Sequence, residues 1–521
     1  MSPPSYDLTN QPWTPVRWRK ETADRPSAVG LRDLFLRAHD IADVNVPLPP
    51  ATSGLMRLLY VIAAEVAGLA LHGDHNDWLD ARDRLLEAGR FKEKDVREYF
   101  DAPFRCFDLF HPRRPFLQDR RLAEECVDSK GNPVSSGVNK LVWGRAAGNT
   151  QVWLSHDVDA RPRLVPTAEA AWHLLAWLYY GPSGMSTPRA VNNPSARNTT
   201  SARNTTAGPL RSTISFHPIG GNLFETLLLG IPFLKEGKGG PAPWEEQDDP
   251  DPLGVPAPPV GLARLLAGRF RHALLLSPSD DGRSVVDARI TWAWREPQGE
   301  AEDPYLIYQR SNKGERYARR ANADRAIWRD FDTLLRKTPG DSDERRPAII
   351  DDLATLHDSD FYRSRVDQVR VRSFGFDQEG QARDRQFFSG ATPPVLNYLE
   401  EKRPDRCNYI GRARQDAEEV GGNLRTALMR AWRELVGSSE AKVPWLGVGE
   451  ARYWSTAERR FWRLITADEP PVQVRNEFIR IALVAYEAAT DAYTHDPRHV
   501  AVIEGCRTHV LRGWQREEEQ V

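Results

Sequence analysis

The chain has 521 residues, of which 40% are hydrophobic and 28% charged, with a formal net charge of −2. That length exceeds one small core and points to more than one domain, and the composition is that of a soluble, packed protein. The near-neutral charge excludes a protein that grips DNA alone over a wide basic surface, so any contact with nucleic acid must be local or shared with partners.

Near the start, Asn10, Pro12 and Pro15 mark a turn, and Val16 to Trp18 predict a short strand. Val29 to His39 predicts an amphipathic helix with Leu31, Leu34, Phe35 and Ala38 on one face. After Pro47 to Pro50 break the chain, Ser53 is placed to cap a helix running through Leu71. His72, Asp74, His75 and Asp77 follow; they are metal-ligand types, but their spacing matches no established site and predicts a solvated interhelical loop.

The aromatic, proline-punctuated stretch from Phe104 to Gln118 predicts a rigid connector. Residues 127–163 predict short strands and turns, and Thr167 to Tyr180 a helix with Thr167 at its cap and Glu169 in its first turn. Gly181 and Gly184 then open a polar stretch in which SARNTT occurs twice in tandem, Ser195 to Thr200 and Ser201 to Thr206. A polar repeat cannot form a core, which predicts a mobile loop, and its Arg197 and Arg203 suit phosphate contacts.

Pro241 to Pro259 predicts a proline-rich acidic linker. Alternation over Arg269 to Leu276 and Ser284 to Trp294 predicts strands in hairpins. Arg310 to Arg329 is basic with Tyr317 and Trp328 interleaved, as on a helix face that touches nucleic acid or solvent. Beyond about residue 376 helical periodicity dominates: Ala413 to Val436, Ala457 to Ala467, Val472 to His495 and Arg498 to Glu518 predict an antiparallel four-helix bundle.

No catalytic constellation stands out. His39-Asp40, His156-Asp157 and His357-Asp358 lack the further ligands of an HD hydrolase, and Gly237 to Gly240 lacks the ending of a P-loop. There is neither a GxSxG elbow nor an HExxH helix, and no cofactor motif. Cys106, Cys126, Cys407 and Cys506 form no CxxC pair, which argues against a disulfide framework and a zinc ribbon. No run reaches the roughly 18 apolar residues of a membrane span, and Met1 to Arg19 has no apolar signal core, which predicts a cytoplasmic protein. A metal-dependent nucleic-acid hydrolase using scattered carboxylates with His72, His75 or His156 stays as the alternative reading, and a purely structural scaffold as a third.

Five segments in order resemble one family. YDLTNQPWTPVR from Tyr6, GLRDLFLRAHDI from Gly30, FHPRRPFLQ from Phe110, YWSTAERRFWRLI from Tyr453 and AYTHDPRHVAVIEGCR from Ala492 are similar to the large subunit of type I-E CRISPR Cascade, the CasA family. The resemblance spans nearly the whole chain. It implies an α+β fold, with a large mixed α/β N-terminal domain over residues 1–375 and a C-terminal four-helix bundle over 376–521. It also implies a non-catalytic subunit of a crRNA-guided complex that recognises the protospacer-adjacent motif (PAM) of double-stranded DNA from the minor groove. Such a subunit helps open the duplex and recruits the helicase-nuclease. The implied partners are crRNA, target DNA, the other Cascade subunits and that nuclease.

The same resemblance assigns residues. Gly181 and Gly184 fall where the family has its PAM-facing glycine loop, and Arg289 where a basic residue enters the groove. Gln381 with Ala382 matches the tip of the glutamine wedge, with Gln378 as competitor. Lys140 to Leu154 is similar to the loop that reaches the crRNA handle and the neighbouring backbone subunit, which assigns Asn149, Thr150 and Trp153 to that contact.

Overall fold

The computed structural model describes residues 3–148, 155–193, 198–296, 302–338, 343–359, 361, 365, 368–379, 383–440, 442–467 and 473–512. The chain forms two compact units, Met1–Asp324 with Gly340–Leu396, and Arg325–Pro339 with Asn397–Val521.

The first unit mixes helices and antiparallel strands. Strand β1 (Thr14–Trp18) turns Thr14, Val16 and Trp18 inward by simple alternation and pairs with Ala28–Val29 and with β2 (Ile41–Val44). Helix α1 (Leu31–Leu36) buries Leu31, Leu34 and Phe35 as their spacing predicts, but is shorter than the predicted Val29 to His39. Helix α2 (Pro49–Val66) is buried along almost its whole length. It starts on Pro49, whose missing N–H leaves nothing unsatisfied in a first turn. Ser53 therefore sits one turn inside rather than at the cap, and its hydroxyl accepts from Arg57 Nη1 at 2.9 Å and Tyr180 Oη at 3.0 Å. The helix stops before Gly68, whose φ of 72° ends it short of Leu71.

Asp74 caps helix α3 (His75–Ala88), its carboxylate accepting from the N–H groups of Asn76 and Asp77 at 2.8 and 3.2 Å. The predicted interhelical loop thus ends at Asp74, and His75 opens a helix. Between 127 and 163, helix Val138–Leu141 and one isolated bridge, Val127 to Pro133, take the place of the predicted short strands among the described residues. The predicted Pro241 to Pro259 linker is packed rather than loose: Trp244 is buried, its ring 5.5 Å from Phe107 and 6.1 Å from Phe116.

Four further pieces build the face considered below. Helix α4 (Thr167–Tyr180) is buried on nearly every side. Strands β3 (Gly184–Asn193) and β4 (Asn198–Thr205) form an antiparallel hairpin. Strand β5 (Ile214–Ile219), wholly buried, belongs to a sheet completed further along the chain. Strands β6 (His272–Pro278) and β7 (Ser284–Trp292) pair as the alternation predicts, and β8 (Arg370–Glu379) lies between β9 (Arg383–Ala391) and β5. From Asn198 on, the tandem SARNTT repeat is a strand rather than the predicted mobile loop: Ser201, Thr200 and Thr199 face Ala190, Val191 and Asn192 in a ladder, because β-branched threonines fit a pleated strand without needing a core. Arg310 to Arg329 is not a helix either. Tyr308–Arg310 and Arg316–Ala318 make a small hairpin turning near Gly314, whose φ is 81°, and Trp328 is buried.

The second unit is the predicted bundle: α5 (Pro404–Val436), α6 (Leu446–Thr466), α7 (Val474–Thr490) and α8 (Pro497–Arg507). On α5, Ile410, Ala413, Ala417, Val420, Leu424, Ala427 and Ala431 recur at helical spacing and are buried, and α6, α7 and α8 pack along it. Small residues set the approach: a Cβ on Gly421 would meet the Trp454 ring at 2.6 Å. The predicted boundary at 375/376 cuts through β8, and the unit begins instead at Asn397, with Arg325–Pro339 as its outlying piece. That piece belongs there because Trp328 packs 4.9 Å from Phe461 and Arg329 Nη2 pairs with Glu418 at 2.6 Å.

Candidate nucleic-acid interface

The C-terminal end of α4 is the point on which the predicted contact elements converge. The Tyr180 carbonyl, one of those that no helical N–H can reach, accepts from Arg211 Nη1 at 3.3 Å and Gln378 Nε2 at 3.4 Å. A cation at this negative end of the helix dipole is favourable. At the other end, Thr167 does not cap the helix; its hydroxyl donates to the Gly282 carbonyl in the β6–β7 turn at 2.8 Å.

The β6–β7 hairpin reaches the same place through His272. Burial lowers its pKa to about 4, so the ring is neutral at pH 7. Nε2 donates to the Pro182 carbonyl at 3.1 Å, which leaves Nδ1 a bare buried nitrogen. Gly181 lies beneath this ring: an added Cβ would stand 2.6 Å from the Trp177 carbonyl and 2.8 Å from His272. Gly181 is thus a buried packing glycine, not an open approach to a ligand. Gly184, with φ of 120°, is the position whose backbone calls for glycine, and exposed Met185 follows it.

The β3–β4 hairpin is stapled to β7 by Arg189, whose side chain is wholly buried. It bonds Glu125 Oε2 at 2.7 Å, Asp119 Oδ2 at 2.8 Å and the Trp292 carbonyl at 3.0 Å. Thr291 Oγ1 donates to the Thr187 carbonyl at 2.6 Å. Arg203 on β4 is exposed, and Arg197 lies outside the described residues.

Arg289 sits on β7 opposite Leu275, half-buried. Its Nε has no hydrogen-bond partner, and among the described residues no carboxylate pairs with it. Together with Arg189 it lowers the pKa of the Cys126 thiol, although burial still carries that group up to about 11.

Strands β8 and β9 pair antiparallel, Glu379 opposite Arg383, as the predicted hairpin requires. Gln381 and Ala382 lie outside the described residues, as do Asn149, Thr150 and Trp153. Gln378 is buried and fully engaged. Nε2 donates to Asp384 Oδ1 at 2.7 Å, Oε1 accepts from Ser212 N at 3.2 Å, and the Gln378 carbonyl accepts from Ser212 Oγ at 2.7 Å. Ser212 takes a left-handed φ of 60° to do this. Gln378 is a fastener of the hairpin, its side-chain amide already engaged on both atoms. Arg385 is exposed, 3.5 Å from Asp377.

Sequence reasoning missed Arg189, Arg211 and His272, each of which acts through contacts distant in the chain. It also missed Trp143, within the segment assigned to the crRNA handle, which packs 5.6 Å from both Trp177 and Phe376. Among the described residues no three His, Cys, Asp or Glu side chains gather as a metal site, and no helix is long and apolar enough to cross a membrane.

The chain thus combines a mixed strand-and-helix unit, bearing three hairpins on one helix end, with a second, helical unit. Residues 7–487 match the family of CRISPR-associated protein Cse1 (CRISPR_cse1), and the chain belongs to that family, the CasA family of type I-E systems. CRISPR-associated protein CasA/Cse1 of Thermus thermophilus is 29% identical over 342 residues, a stretch covering 64% of this chain and 61% of that relative. A chain of a solved CRISPR RNA-guided surveillance complex is 44% identical with a TM-score of 0.84, covering 98% of this chain and 100% of that one. Thermobifida fusca Cse1, 19% identical with a TM-score of 0.72 over 98% of each chain, shares the fold.

Proposed function

We propose that this chain is a non-catalytic large subunit of a crRNA-guided surveillance complex acting in the cytoplasm. It recognises the PAM of double-stranded DNA from the minor groove, helps open the duplex for R-loop formation, and recruits the helicase-nuclease of its type I-E system. The observation that carries the reading is Arg289: a half-buried guanidinium without a carboxylate partner, on a hairpin anchored to the same helix end as Gly184 and the β8–β9 hairpin. A narrow minor groove concentrates negative potential and favours an arginine that the protein has left unpaired. Its base code is degenerate, so several PAMs are tolerated.

Gln381 and Ala382, beyond the fastened base of β8–β9, form the wedge that covers the first opened base pair. Asn149, Thr150 and Trp153 reach the crRNA handle and the adjoining backbone subunit. Base pairing with the guide reads the target sequence, while this chain reads the PAM and duplex shape.

The test is equilibrium binding of matched duplex by the assembled complex. Arg289→Ala is expected to remove about 1–3 kcal/mol of discrimination between good and scrambled PAMs. Unchanged discrimination in Arg289→Ala and in Gln381→Ala alike would overturn the site assignment.

A further inference from the structure

The first unit holds a cavity of about 110 Å³ to which PAM reading gives no duty. Phe116, Trp244 and Trp294 line it. Trp244 is buried, its ring 6.1 Å from Phe116, and its Nε1–H is already donated to Tyr99 Oη at 3.0 Å, so it offers the cavity ring carbon rather than a donor. Two unmet polar atoms belong to the same lining. His272 is 1% exposed, and Nδ1, the acceptor of its neutral ring, has no hydrogen-bond partner among the described residues. Arg269 pairs through Nη1 with Glu246 at 2.6 Å, while its buried Nε–H has no partner among them. A buried acceptor and a buried donor left in this way are unfavourable unless a bound group meets them.

We propose that this cavity binds a small, neutral aromatic amide, its single ring against the indoles and its amide edge donating to His272 Nδ1 and accepting from Arg269 Nε. Size sets the single ring: a closed apolar cavity of roughly 150 Å³ holds a benzene, and this one is smaller but partly open to solvent, so a substituent can reach the mouth. Charge sets the neutrality. The lining carries four carboxylates against three guanidiniums, which leaves no positive excess for a phosphate or carboxylate. Water fits less well, because a buried water makes about three hydrogen bonds and the ring faces supply none. The site also adjoins the hairpin roots. His272 Nε2 holds the Pro182 carbonyl, and Asp119, another lining residue, holds Arg189, so a bound ligand braces both attachments. Binding here does not depend on what those hairpins touch, and it is tested on the chain alone.

The experiment titrates benzamide and nicotinamide into the full-length chain, with toluene and benzoate as counterparts that lack the N–H donor. The two amides are expected to bind saturably with Kd on the order of 1 mM or tighter, and the counterparts at least about tenfold more weakly. Bound benzamide is expected to slow hydrogen exchange in the peptides covering residues 243–250 and β6. His272→Phe keeps a ring but removes the acceptor, and is expected to bring benzamide and toluene within about twofold of each other. Ala293→Leu, which enlarges another lining residue, is expected to abolish amide binding and serves if the first variant does not fold. No saturable binding of either amide would overturn the proposal and leave the cavity to water. Toluene bound as tightly as benzamide by the unaltered chain, exchange protection confined to another part of the chain, or unchanged binding in a folded Ala293→Leu variant would each overturn it as well.

Discussion

Gln378 donates a hydrogen bond to Asp384 across the β8–β9 hairpin at 2.7 Å, and so pins its two strands together. Gln378 thus holds the hairpin, while the proposed wedge is Gln381, three residues on. Gln378→Leu strands the Ser212 N–H and one Asp384 oxygen, and is expected to lower stability by about 1–3 kcal/mol. Gln381→Ala is expected to leave stability within about 0.5 kcal/mol while weakening target binding. Denaturant midpoints of the two variants beside their target affinities check this. A Gln378 variant of unchanged stability would contradict the fastening role.

Arg189 joins β3 to β7 through two carboxylates and a carbonyl while fully buried. Arg189→Met removes the charge but leaves Glu125 and Asp119 behind. The expected loss is about 3–5 kcal/mol, the usual consequence of breaking a buried pair from one side. Asp119 keeps Arg121 at 2.8 Å, which places the outcome toward the lower end. Calorimetric unfolding of the variant measures the effect.

Burial raises the Asp352 carboxyl to about 7, against an acceptor bond from Phe233 N and the charge of Arg82, which pull it down. The native chain therefore keeps a proton there that the unfolded chain releases near pH ~3.9. Its contribution is complete below that value and is lost as pH rises to about 7. Asp352→Asn stays neutral and can still accept from Phe233. Its stability relative to the parent is expected to rise between pH 5 and pH 8, by on the order of 2 kcal/mol. Thermal midpoints at the two pH values decide it; a parallel shift at both would contradict the burial account.

Much of the fold was legible because it rests on local pattern. The α5 stripe, the α4 span and the β6–β7 alternation are each written in consecutive residues, and the structure has them there. The readings that failed rested on composition. A polar tandem repeat was expected to be mobile, yet threonines form β4. A proline-rich acidic stretch was expected to be a linker, yet Trp244 anchors it. The basic stretch from Arg310 was expected to be helical, yet its end joins the second unit through Trp328 and Arg329. In the candidate site, the resemblance singled out Arg289, Gly181 and Gly184, but neither it nor the residue types showed Gly181 as packing or Gln378 as a fastener. Those duties depend on Trp177, His272, Ser212 and Asp384, which no spacing rule connects.

The most direct test is target binding by the crRNA-loaded complex with and without this chain, on matched duplexes bearing good or scrambled PAMs. The account predicts that the chain restores tight, PAM-dependent binding and that no strand is cut until the helicase-nuclease is added. Binding that is equally tight without the chain, or cleavage by the chain alone, would contradict it.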